Sequence, residues 1–86
     1  NQLHDPLIAA EKLLEWLPTN PYWAHWFSTQ YGFELEGEDG SERLENLALR
    51  LNRLRRGGVP DTQAVALKLL LDWQTGAKPV ASTKTK

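Results

Sequence analysis

Two histidines, an acidic run and a group of arginines are the residues in this 86-residue chain whose types could support chemistry. There is no Cys, which excludes a thiolate nucleophile, a disulfide framework and a zinc–thiolate site. His4 stands just ahead of a helix start. His25 lies between Ala24 and Trp26, and the positions four residues either side of it, Pro21 and Thr29, supply no second metal ligand. No G-x-S-x-G turn carries a serine nucleophile. We therefore expect a non-enzymatic protein and assign no catalytic, cofactor-binding or metal-ligating residue.

The run Glu34-Leu35-Glu36-Gly37-Glu38-Asp39-Gly40 resembles a calcium loop, with Glu45 eleven residues after Glu34. Such a loop requires Gly at its sixth position, where this chain has Asp39. A solvated acidic loop is the expectation. Arg50, Arg53, Arg55 and Arg56 form a candidate basic surface for nucleic acid, to which Lys78, Lys84 and Lys86 would add non-specific attraction. Glu42 and Asn46 precede Arg50 and Arg53 on one helical flank, and an acidic loop stands where a helix-turn-helix would need a tight turn. Nucleic-acid binding is thus the competing reading.

Ten Lys+Arg against eleven Asp+Glu give a net charge of −1, but the charge is unevenly placed. Residues 1–40 hold one Lys and seven acids, a sum of −6; residues 41–86 hold nine bases and four acids, a sum of +5. Opposite charges on the two halves favour attraction within the fold, or between the acidic edge of one copy and the basic edge of another.

These residues must be positioned by helices. Asp5-Pro6 and Asn20-Pro21 each pair a capping side chain with proline at the first helical position. Leu7, Ala10, Leu13, Leu14 and Leu17 recur at helical spacing until Pro18, and Trp23, Trp26, Phe27 and Tyr31 follow as an aromatic stripe. Gly32 either ends that second helix or lies within one running to about Glu36. Asp39-Gly40-Ser41-Glu42 matches an Asp version of the capping box. Leu44, Leu47, Leu51 and Leu54 then predict a third helix reaching Arg56 and stopped by Gly57-Gly58. Val59-Pro60-Asp61 opens a fourth that lasts to about Gln74. No segment shows sustained alternation, so the expected fold is all-α, with about four amphipathic helices as two antiparallel helical hairpins. A single helical domain over residues 1–76 and a polar tail over 77–86 complete the expectation. The absence of Met and the start at Asn1 suggest a domain excised from a larger protein.

The first and fourth helices carry too much apolar surface for one small interior. Val65, Ala66, Leu67, Leu69, Leu70, Leu71 and Trp73 cover most of the fourth, and Glu11, Lys12 and Glu15 are the main interruptions in the first. Surplus apolar faces are covered by other domains or other copies. Ile8, Trp16, Leu69, Leu70 and Trp73 are the candidate oligomer-interface residues. A monomeric adaptor receiving a partner helix is the other use of such a surface. No apolar run approaches the roughly 18 residues of a membrane span.

The stretch from Asp5 to Pro21, with its two helix starts, followed by Leu44 to Leu54 and a final Leu-rich helix, resembles in cadence and composition the C-terminal domain of TssA, the ImpA/VasJ-like subunit of bacterial type VI secretion systems. The resemblance spans roughly residues 5–75 and includes no catalytic or signature motif. It implies a helical domain that assembles into rings within a cytoplasmic protein. That protein's partners would be secretion baseplate and sheath proteins.

Overall fold

The computed structural model describes residues 5–77. His4 and the tail lysines lie outside the described residues, as does the expected polar tail apart from Ala77. The chain forms α1 (Pro6–Trp16), a 3-10 turn (Leu17–Thr19), α2 (Pro21–Tyr31), α3 (Gly40–Arg50), β1 (Leu54–Arg55), a second 3-10 turn (Arg56–Gly58), β2 (Val59–Pro60) and α4 (Thr62–Ala77). The described chain is mostly helical, but the all-α expectation needs correction. β1 and β2 pair antiparallel, Leu54 opposite Pro60 and Arg55 opposite Val59.

The helix starts follow the side chains that cap them. Asp5 accepts from the Leu7 N–H at 3.0 Å, and Asn20 from the Tyr22 N–H at 2.9 Å. Asp39 accepts from the Glu42 N–H at 2.9 Å, while the Glu42 carboxylate accepts from Glu38, one residue ahead of the N-cap. Gly32 ends α2 in the left-handed region, φ 85°, resolving the alternative left by the sequence.

The third helix ends at Arg50, six residues short of the expected Arg56. Asn52 takes φ 58°, its N–H donates to the Leu49 carbonyl, and the Arg53 N–H donates to Ala48 at 2.8 Å. This pairing closes the helix on an asparagine instead of on Gly57-Gly58. Those glycines, both at positive φ, turn the chain from β1 into β2. Leu44, Leu47 and Ala48 are buried, but Leu54 is carried out of the seam and is exposed. Val59 and Pro60 belong to β2, and α4 begins after Asp61, which accepts from the Ala64 N–H. It continues through Gly76 to Ala77.

Residues 33–38 form neither helix nor strand, as the expected acidic loop requires, but one side of that loop is packed. Phe33, Leu35 and Gly37 are half-buried while Glu34, Glu36 and Glu38 are exposed, a period of two that lays an extended strap along α3. Asn46 donates to the Glu36 carbonyl at 3.0 Å, and Arg43 Nε to the Gly37 carbonyl at 3.0 Å.

The closest helix packing joins α1 to α4 and α3, across the two expected hairpins. Ala10, Leu14 and Leu17 meet Leu44 and Leu47 of α3, Val65 and Leu69 of α4, and Phe27 of α2 in one buried core. Each such Leu stabilises the fold by about 1.5–3 kcal/mol relative to exposure. A Cβ at Gly40 would collide with the Glu11 backbone, so glycine permits the close approach of α3 to α1. Helix α2 reaches α4 through large side chains. Trp23 lies 6.0 Å from Trp73 between ring centroids, the Trp26 ring lies where a Gly76 side chain would be, and the Tyr31 hydroxyl donates to Asp72 at 2.8 Å.

Candidate functional site

Helices α1 and α4 diverge enough on their outer side to leave an open apolar groove of about 460 Å³. Ala9, Lys12, Leu13 and Trp16 form one wall, and Leu70 and Trp73 the other. Residues 9, 13 and 16 share a face of α1 by their three- and four-residue spacing, as 70 and 73 do on α4. The core residues Ala10, Leu14, Ala66 and Leu69 lie beneath, which fixes both walls.

Of the interface residues proposed from sequence, the structure brings together Trp16, Leu70 and Trp73. Trp16 is 42% exposed. Leu69 is fully buried in the core and offers no surface to another molecule. Ile8 is half exposed but does not line the groove. Leu67 and Leu71, 52% and 63% exposed, extend the apolar surface of α4 beyond Leu70. Ala9, Lys12 and Leu13 are groove residues that the sequence reading does not assign to an interface; the three-residue step from Ala9 to Lys12, and from Leu13 to Trp16, is the signal that could have found them.

The aromatic wall is backed by further rings. Trp23 sits 6.3 Å from Trp16, 5.6 Å from Trp26 and 6.0 Å from Trp73, so it braces both sides of the groove from behind. The Trp73 Nε1 atom is buried, with no hydrogen-bond partner among the described residues. On the opposite side of α4, Asp72 accepts from Tyr31 and pairs with Lys68 at 3.2 Å. Burial, and then the hydrogen bond and negative charge of Asp72, push the Tyr31 phenol well above its ordinary pKa. This locks α2 to α4 with a neutral tyrosine.

The arginines do not form one helical stripe. Arg50 lies 3.6 Å from the Glu36 carboxylate and 4.2 Å above the centre of the Phe33 ring, so it holds the strap. Arg53, Arg55 and Arg56 project from the β-turn beyond α3 and are exposed. The crevice between the strap and α3 is filled by side chains and leaves no room for water. His25 is exposed and lies 3.4 Å from the Thr29 hydroxyl. Among the described residues, no three His, Asp or Glu side chains are disposed to hold a metal ion, and no helix is long and apolar enough to cross a membrane.

No family model matches this chain, and no solved structure matches it at a significant level.

Proposed function

We propose that this chain is a non-enzymatic assembly domain that binds a second copy of itself through the groove between α1 and α4. The observation that carries this reading is the convergence of Trp16, Leu70 and Trp73 from two helices on an open apolar groove, beside the exposed Leu67 and Leu71. Rigid aromatic anchors in a concave apolar setting supply affinity at small conformational cost. The same α4 that lines the groove also carries a convex apolar ridge, so one copy offers both the receptor and an uncharged filling for its neighbour. The resemblance to the C-terminal domain of TssA supports a context for such assembly: a ring within a cytoplasmic type VI secretion protein that acts on baseplate and sheath components.

Light scattering of the domain at high micromolar concentration tests the reading. Association that is lost in Leu70→Asp, with helicity retained, is the expected result. A monodisperse monomer would overturn it, and a monomer that captures an amphipathic helical peptide would assign the groove to a partner helix. The nucleic-acid reading rests on the exposure of Arg53, Arg55 and Arg56; absence of oligonucleotide binding at low salt dismisses it.

A further inference from the structure

The groove leaves Ile8 unused, and the fold places it in a distinctive setting. Ile8, Glu11 and Glu15 share one face of α1 at three- and four-residue steps. The same face meets the start of α3. Glu15 accepts from the Gly40 N–H at 3.2 Å, and the Glu11 backbone lies against Gly40. Glu38, Asp39 and Glu42 surround that helix start. Five carboxylates from two distant segments thus lie where α3 meets the α1 face that also carries the exposed Ile8. Arg43 offsets part of their charge, with its guanidinium held by the Leu14 and Gly37 carbonyls. The carboxylates are spread over a surface and do not converge on one point.

The other end of α3, about 16 Å away at 1.5 Å per residue, has the opposite character. Arg53, Arg55 and Arg56 are exposed there, with Leu54 and Val59 43% and 51% exposed beside them. Asp61 lies at the same turn, but its carboxylate caps α4. No salt bridge engages the three arginines among the described residues. Each end of α3 therefore presents apolar side chains amid charge mainly of one sign, acidic at the start despite Arg43 and Lys12 and basic at the far turn despite Asp61. One copy cannot join its own two ends.

We infer that copies dock head to tail, with the Arg53–Val59 turn of one copy seated on the acidic face around Ile8 of the next. This rests on the reading of the domain as self-associating, and it adds a second contact separate from the groove. Opposite charges set the orientation, and Leu54 and Val59 against Ile8 exclude water from the contact. A heterologous contact of this kind extends an assembly beyond a pair or closes it into a cycle.

Sedimentation of the chain at low and high salt, about 20 and about 500 mM, tests the inference through screening. Wild-type association is expected to weaken several-fold at high salt. Two reversed variants, Arg55→Glu/Arg56→Glu and Glu38→Lys/Asp39→Asn, should each show the reduced association at low salt. Asn retains capping ability at position 39. Mixed one to one, the two variants present acidic and basic faces to each other and should recover a larger species. Should the first variant fail to fold by circular dichroism, Arg55→Gln/Arg56→Gln should show the same loss. Salt-independent mass, or a mixture no larger than either variant alone, overturns the head-to-tail contact while leaving the groove reading intact. Failure of the groove reading instead shows as an unchanged mass in Leu70→Asp. A duplex oligonucleotide bound by wild type but not by Arg55→Glu/Arg56→Glu, with salt-independent mass, would reassign the turn to polyanion binding.

Discussion

Arg43 donates to the backbone carbonyl of Leu14 at 2.9 Å, standing in for a helical N–H that Pro18 does not possess. In a continuous helix the residue-14 carbonyl would accept from residue 18. The proline that ends α1 thus creates an unpaired acceptor near the core, and α3 supplies the missing donor. The same guanidinium holds Gly37 at 3.0 Å, so one side chain ties together α1, the strap and α3.

Replacing Arg43 with Met should destabilise the domain by about 1–3 kcal/mol, because two carbonyls lose a charged donor. Pro18→Ala restores an N–H next to Leu14. In that background the cost of Arg43→Met should fall by at least about 0.5 kcal/mol. Urea unfolding of the four chains in a double-mutant cycle measures the coupling, and additive effects would contradict the pairing.

Gly40→Ala should destabilise by about 1–3 kcal/mol, as overpacking does. Helix propensity alone would have it stabilise α3 by up to about 1 kcal/mol. The close approach of the Glu11 backbone decides the sign. A rise in melting temperature would refute this account of the α1–α3 contact.

Leu69 and Leu70 are adjacent in sequence but should behave oppositely. Leu69→Ala empties a fully buried core position and should cost about 2–5 kcal/mol. Leu70→Ala trims a groove wall and should cost less stability while weakening association. Chemical unfolding and light scattering on the same pair of variants separate the two effects.

Tyr31→Phe removes the hydrogen bond to Asp72 and should cost about 0.5–1.5 kcal/mol near neutral pH. The native phenol's pKa is raised, so the folded state keeps its proton where the unfolded chain, titrating near 10, begins to lose it. The stabilisation is complete below about pH 10 and is lost as pH climbs toward the native value. The stability difference between wild type and Tyr31→Phe should therefore shrink in unfolding curves taken above about pH 10. A constant difference would exclude the linkage.

Helix starts were legible because their signals are local: Asp5-Pro6, Asn20-Pro21 and Asp39 act on N–H groups within three residues. The stop at Asn52 was just as local, but the Leu51 and Leu54 periodicity masked it. Asparagine also tolerates the left-handed region, and the chain turns there before reaching the glycines. The acidic strap went unread as an extended segment because only Phe33 and Leu35 mark its buried side, too few residues for a period of two to stand out.

By itself the sequence determined the number of helices, the caps that start them, and the surplus of apolar surface on α1 and α4, since each depends on spacing within one segment. Tertiary packing decided how that surplus divides. Leu69 became core, while Trp16, Leu70 and Trp73 became a groove, because the rotation of α4 against α1 is set by contacts between residues at opposite ends of the described chain. It likewise sent Arg50 to Phe33 and left Arg53, Arg55 and Arg56 in solvent. No spacing rule within one helix contains that information.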